Sequence, residues 1–242
     1  MRTRTRLLTL FVALFAALAP ALSTAGSAAA ATPPYSLHYI ALGNHKQVVV
    51  RWNPCRMHTY KVNLAAVPAA SRNVILAETL AAMRVLSVRT GIPFTYRGAT
   101  TEVPRLGSFA AQSADIIIAY TTPARTNYNL AGAIAAQGGY SAGSRSTISA
   151  ATTTYSAAIF RGMLVLDTPD LLRNLRPGFG PGARRGNVLL HELGHVVGLG
   201  HVSNVRLLMN PATTSYTPNG FAAGDLAGLA RVGRPAGCIA GW

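Results

Sequence analysis

The segment HELGHVVGLGH, from His191 to His201, places three of the chain's six histidines close together. On an α-helix, residues four apart lie on one face about 5–6 Å from each other, so His191 and His195 can direct imidazole nitrogens at one ion. Glu192 is rotated by about 100° from His191, which prevents it from being a comfortable co-ligand. Its carboxylate can still reach a water bound to that ion.

The third histidine of this segment requires the helix to end. If the helix continued, His201 would lie about 15 Å along the axis from His191. Gly198 permits the positive φ that ends a helix, so the chain can turn back and bring His201 to the same ion. Three neutral imidazoles leave a fourth position for water, which is the pattern of catalytic rather than structural zinc. We therefore predict one Zn²⁺ per chain, held by His191, His195 and His201.

The N-terminus has a basic start, MRTRTR, a short apolar run broken by Pro20, and small residues up to Ala31. This is the pattern of a secretory signal peptide, so we predict a leader over 1–31 and a single domain over 32–242. A membrane anchor is the competing interpretation, but the apolar run is shorter than the roughly 20 residues that span a bilayer. We expect a soluble, exported protein with no membrane span.

The chain carries 22 Lys plus Arg against seven Asp plus Glu, a formal charge of +15, and loss of the leader's three arginines leaves +12. Such a charge could hold the protein on nucleic acid or on anionic cell-wall polymers. The arginines are scattered, without a run of five basic residues or interleaved aromatics, which argues against a specific nucleic-acid site. A general effect on solubility, or weak association with cell-wall polymers, is the better interpretation.

The two cysteines, Cys55 and Cys238, lie near opposite ends of the predicted mature chain. In an oxidising compartment a single pair usually forms a disulfide. A bridge here would close a loop of about 180 residues, for which the chain-entropy account gives about 5 kcal/mol of stabilisation. The alternative is that Cys55 is a zinc ligand that blocks a latent site.

The pattern of apolar residues predicts an α+β domain. Apolar runs predict strands at 48–52, 59–63, 94–98, 114–120 and 157–167. A long helix is predicted over 68–91, with Glu78 opposite its apolar face and Gly91 as its C-terminal stop. The Gly/Ser/Thr-rich stretch 138–154 is expected to form loop and edge strand, and 176–186 a loop that leads into the histidine-bearing helix.

HELGHVVGLGH resembles the zinc-binding signature of the metzincins, and LLMNP at 207–211 resembles the Met-turn that follows it. The proline two residues after Met209 is closer to matrixins than to astacins or serralysins. TGIPFTYRG, ADIIIAY, GMLVLD, the histidine motif and FAAGDLAGLARVG follow in an order similar to that of secreted bacterial matrixin-like proteases. The resemblance covers most of the chain, from about Trp52 to Cys238.

This resemblance implies a metzincin-like fold. Its features are a twisted, mixed five-stranded sheet with an antiparallel edge strand beside the cleft, a long helix, an active-site helix, and an irregular C-terminal part with a final helix. Met209 would form an apolar floor beneath the zinc. Asp225, in the final helix, would be a buried acid that supports the Met-turn.

The resemblance also implies a secreted zinc metalloendopeptidase whose protein or peptide substrate lies extended along the edge strand. Glu192 would take a proton from a zinc-bound water and deliver it to the leaving amine. The cysteine-switch motif and the histidine-bearing structural zinc loop of animal matrixins have no match, because Cys55 stands in WNPCRM and no Asp/His cluster occurs between 120 and 160. With so few carboxylates, structural calcium is not supported.

Two other functions fit parts of the sequence. One is a secreted zinc-site protein that binds without turnover, although zinc binding alone has no need for the Glu192 carboxylate. The other is a basic cell-surface adhesion protein, which the charge of the chain would favour.

Overall fold

Apolar stretches of the sequence form the central strands of the protein, seen here in a computed structural model that describes residues 35–42, 46–107, 111–130, 132, 135–149 and 152–242. All of these residues belong to one unit, Thr32–Trp242, and the leader predicted over 1–31 lies outside them. The strands, in chain order, are β1 (Ser36–Leu37), β2 (Tyr39–Ala41), β3 (Gln47–Val49), β4 (His58–Asn63), β5 (Phe94–Ala99), β6 (Ile116–Thr121), β7 (Ala136–Ser149), β8 (Thr152–Asp167) and β9 (Leu199–Gly200).

Five of these strands form one sheet in the order β5-β4-β6-β8-β7. Four of them pair in parallel, while β7 pairs antiparallel with β8 and forms one edge of the sheet. The central strand β6 is buried along its whole length, as expected for a continuous apolar run. The predicted α+β class, with a mostly parallel five-stranded sheet, is therefore confirmed.

The described residues contain four helices: α1 (Arg72–Thr90), α2 (Thr168–Asn174), α3 (Arg185–Val196) and α4 (Ala223–Val232). The long helix predicted over 68–91 is α1, and its C-terminal residue is followed by Gly91 with a left-handed φ of 68°. The histidine motif lies on α3. Because α1 packs against both α3 and α4, the core lies between these helices and the sheet.

The placement of Glu78 on the outer face of α1 is wrong. The Glu78 side chain is buried, and its carboxylate accepts two hydrogen bonds of 2.9 Å from the Arg185 guanidinium. It also accepts one from the backbone N–H of Gly178 at 2.7 Å. Hydrophobic periodicity placed Glu78 outside because it treats every charge as solvated, whereas a buried charge is tolerated when it is paired and hydrogen-bonded.

The hairpin of β7 and β8 was predicted only in part. We expected loop and edge strand over 138–154 and a strand over 157–167, but β7 continues to Ser149 and β8 begins at Thr152. The pairing extends from Ala136 opposite Leu166 to Ser149 opposite Thr152. Glycine and serine in β7 interrupt the apolar alternation by which a strand is detected, so the length of the hairpin was missed.

The N-terminal strands lie beside the main sheet rather than in it. β1 pairs with β9, and β2 pairs with β3. The strand predicted over 48–52 is shorter than expected, since β3 ends at Val49 and Arg51 makes only a single bridge to Ala158. Next to it, the fully buried Trp52 donates its indole N–H to the carbonyl oxygen of Val196 at 2.9 Å, which ties this segment to α3.

Cys55 and Cys238 form a disulfide, with an S–S distance of 2.00 Å, as predicted. This pairing removes Cys55 as a ligand for a metal at the histidine motif. None of the helices in the described part of the chain is long and apolar enough to cross a membrane.

Candidate active site

Helix α3 ends where the histidine motif requires it to end. His191 and His195 lie one turn apart on this helix, and Gly198 then adopts a φ of 103°. A Cβ at Gly198 would also lie 2.4 Å from the carbonyl oxygen of Val50, so this position excludes a side chain for two reasons. The chain then passes through β9 and returns His201 to the other two histidines.

The three imidazole rings meet through their Nε2 atoms. These atoms are 3.1 Å apart between His191 and His201, 3.1 Å between His191 and His195, and 3.0 Å between His195 and His201. The Nδ1 of His191 donates to the carbonyl oxygen of Leu208 at 2.7 Å, and that of His195 donates to the carbonyl oxygen of Leu199 at 2.8 Å. Because a carbonyl only accepts, the proton of each of these two rings is on Nδ1 and the lone pair is on Nε2.

Such a convergence of lone pairs fits a bound cation. Nitrogens at this separation can all lie within the 2.0–2.1 Å bonding distance of one zinc ion, and the backbone acceptors on Nδ1 are the usual outer partners of metal-binding histidines. The three histidines form the group of His, Cys, Asp and Glu side chains that could hold a metal in the described residues. The three predicted ligands are thus brought together.

Burial keeps these histidines neutral. It lowers the pKa of His191 to about 4 and that of His195 to about 3, although the hydrogen bonds to backbone carbonyls raise both in part. Burial also lowers the pKa of the more exposed His201. Neutral imidazole is the protonation state that binds a metal, so near pH 7 no proton has to be displaced from these rings.

Glu192 lies next to the histidines without joining them. Its Oε2 accepts a hydrogen bond of 2.6 Å from the backbone N–H of Gly138 on β7. Burial raises the pKa of Glu192 to about 8, and the Gly138 hydrogen bond opposes that rise. A carboxyl group whose pKa lies near neutrality is suited to accept and return a proton.

Met209 and Asp225 lie on the inner side of the histidine cluster. A Cβ on Gly194 would lie 2.5 Å from the Met209 sulfur, so the thioether packs directly against α3 between the two helical histidines. The buried Asp225 carboxylate accepts hydrogen bonds from the backbone N–H groups of Leu208 at 2.8 Å and Met209 at 3.1 Å. Since the carbonyl of Leu208 holds the His191 ring, Asp225 fixes the segment that orients this ring.

An open cavity of about 1330 Å³ lies over the histidines and Glu192. One wall is the start of β7, from Ala136 to Gly138. Val188 on α3 also lines the cavity, and α2 contributes Asp170 and Asn174.

Sequence reasoning missed two residues at this site. Gly138, which contacts Glu192, lies in a stretch that we could describe only as glycine-rich. His38, which follows β1, lines the cavity and stacks its ring on that of His195 with centroids 6.0 Å apart and planes 4° apart. No local pattern marked His38, because β1 reaches the site only through its pairing with β9.

Comparison with known proteins adds no assignment: no protein-family model matches this chain, and no curated protein is significantly similar to it.

Proposed function

We propose that the protein is a secreted zinc-dependent endopeptidase of the matrixin-like type, with a metzincin-like fold. The observation that carries this proposal is the convergence of three neutral imidazoles beside the Glu192 carboxylate in an open cavity. A helix, a glycine break and a Met-containing turn supply this arrangement, in the order that the metzincin signature has in sequence. The disulfide and the leader motif support export.

Bound by the three histidines, Zn²⁺ would supply Lewis acidity for a water molecule and for the scissile carbonyl. Glu192 provides the proton transfers. The Gly138 N–H holds Oε2 in place, which leaves Oε1 to accept the proton of the attacking water and to return it to the leaving nitrogen. Asp225 and the Leu208 carbonyl keep the His191 ring in the orientation that this geometry needs.

The edge strand β7 offers a place for an extended peptide. One side of β7 pairs with β8, and no other strand among the described residues pairs with its outer side. Its first residues border the cavity beside Glu192. A peptide that adds to this edge by backbone hydrogen bonds would bring one of its amide bonds to the site with little dependence on sequence.

Replacing Glu192 by glutamine tests this proposal. Gln has the size of Glu and can still accept the Gly138 hydrogen bond, but it cannot act as a base. We expect Glu192→Gln to bind close to one zinc per chain, as the wild type does, and to cleave peptides at least about 100-fold more slowly. Zinc is measured by metal analysis of the purified protein, and cleavage by mass spectrometry of a peptide library with and without a chelator.

His201→Ala is the matched control, because it removes a ligand and leaves Glu192 in place. This variant should lose both zinc and activity, whereas Glu192→Gln loses activity alone. Full zinc retention by His201→Ala would reject the ligand assignment. A zinc-loaded wild type that cleaves no peptide would favour a protein that acts by binding or cell-surface adhesion without turnover.

A further inference from the structure

We infer that the cavity selects a basic side chain in the peptide residue that follows the cleaved bond, and that Asp170 is the group that recognises it. This inference rests on the proposed peptidase function and specifies the class of substrate. It follows from the position of Asp170, its charge surroundings and the direction of β7.

Asp170 lines the same cavity as the three histidines. It is in the first turn of α2, which begins directly after β8 ends at Asp167. The backbone N–H of Asp167 donates to the carbonyl oxygen of Ala135 at 2.8 Å, so the start of α2 is fixed beside the start of β7. Ala135 precedes Gly138 by three residues, which corresponds to about 10 Å along a strand. A long side chain is therefore needed to reach from a peptide bond beside Gly138 to the start of α2.

The charge of the cavity wall differs from that of the rest of the molecule. The chain has 22 Lys plus Arg and seven Asp plus Glu. The cavity wall, as far as the structure describes it, includes Asp170 and no Lys or Arg, while burial raises the pKa of the other acid, Glu192, to about 8. Apart from the proposed metal position, the charged group of this wall is therefore Asp170, which complements a cationic group rather than an anionic one.

Among the described residues, no Lys or Arg forms an ion pair with the Asp170 carboxylate. Its Oδ1 accepts a hydrogen bond from the Asn174 side chain, one turn later on α2. The ion pairs found among the described residues join Arg161 to Asp115 and Arg185 to Glu78, so neither includes Asp170. With Asn174 on one oxygen, the second oxygen is the acceptor that a guanidinium or ammonium group would use.

The lining of the cavity also suits the rest of a basic side chain. Met163, Leu175 and Val188 line the cavity and can cover the methylene groups of Arg or Lys. A peptide that adds antiparallel to β7 runs towards the N-terminus of that strand. Because Glu192 contacts Gly138 and the start of α2 lies beside Ala135, the residues that follow the cleaved bond would lie on the Asp170 side of the site, and we assign the first of them to Asp170.

The test compares peptides that differ only at this residue, with arginine in one and its neutral isostere citrulline in the other. We expect the wild type to prefer the arginine peptide in kcat/KM, and Asp170→Asn to reduce the preference about two- to fivefold, as expected for a half-exposed charge pair. Asp167→Asn is the matched control. It removes an acid that caps the same helix and does not line the cavity, so the preference should stay.

Binding provides a second readout that needs no turnover. Fluorescence anisotropy with the Glu192→Gln protein should show tighter binding of the arginine peptide than of the citrulline peptide. Adding Asp170→Asn to the Glu192→Gln protein should remove most of that difference. Equal kcat/KM for the two peptides, or a preference that survives Asp170→Asn, would overturn the inference while the peptidase function stands. If the wild type cleaves nothing, the peptidase function fails, and the binding comparison alone decides the role of Asp170.

Discussion

Gly138 lies at a close approach of the edge strand β7 to helix α3. Its N–H donates to Glu192 Oε2 at 2.6 Å, and a Cβ at this position would lie 2.2 Å from the backbone carbonyl oxygen of Glu192. That separation is far below van der Waals contact, and the opposing atom belongs to the backbone, which cannot rotate away. Glycine is thus required both for the approach of β7 and for the orientation of the carboxylate.

Gly138→Ala should force β7 away from α3. We expect the free energy of unfolding to fall by about 1–3 kcal/mol, the range for overpacking at a tight site, as measured by urea denaturation. Gly143→Ala is the control on the same strand, because its Cβ would meet the end of the Trp242 ring at 3.1 Å, a side chain that can shift. Equal losses of unfolding free energy in the two variants would show that the contact with the Glu192 backbone does not cause the destabilisation.

Single residues could be predicted where their relation is local. His191 and His195 were recognisable because four residues of helix bring them together, and His201 because a glycine break precedes it. Gly138 and His38 reach the same cavity through strand pairing, and Asp170 reaches it on the helix that follows β8. Their positions depend on registers that one sequence does not contain, so they could not be assigned.

Among the secondary structure elements, the buried pair of Glu78 and Arg185 links α1 to the first turn of α3. Two hydrogen bonds of 2.9 Å join the side chains, and the Gly178 N–H adds a third contact to the carboxylate. The Glu78 carboxylate therefore holds two segments to α1, namely the loop that precedes α3 and the first residue of α3.

Glu78→Gln would leave the Arg185 charge buried without a counter-charge. We expect a loss of about 3–5 kcal/mol in the free energy of unfolding, the range for breaking one partner of a buried ion pair. The double variant Glu78→Leu with Arg185→Met should recover part of this loss, because it buries no unpaired charge. Chemical denaturation of both variants measures the difference, and a double variant less stable than Glu78→Gln would contradict this explanation.

Elements were predictable where burial leaves a simple pattern. The apolar run of β6 and the periodicity of α1 gave correct assignments, since both elements bury apolar side chains. The extension of β7 to Ser149 was missed because its glycines and serines carry little hydrophobic signal. Glu78 was misplaced because its charge indicates an exposed position, whereas the side chain faces the core.

At the scale of the whole molecule, the C-terminal segment contacts residues 51–55, which follow strand β3. The buried Asn53 side chain donates to the carbonyl oxygens of Ile239 at 3.1 Å and Trp242 at 2.8 Å. Arg51 donates to the carbonyl oxygen of Gly237 at 2.7 Å. The disulfide lies among these contacts, so one bridge and several hydrogen bonds fix the same junction.

The Cys55–Cys238 bridge joins residues 183 positions apart, so reduction should release a long loop in the unfolded chain. Thiol titration of the unfolded, unreduced protein should find no free thiol. Cys55→Ala with Cys238→Ala should lower the free energy of unfolding by about 2–5 kcal/mol, because the unbridged unfolded chain gains conformational entropy. Folded protein should keep its Asn53 contacts in this variant, so peptide cleavage measured below the unfolding transition should persist. Two titratable thiols in the wild type would reject the bridge, and loss of cleavage from a folded double variant would show that the junction also positions the active site.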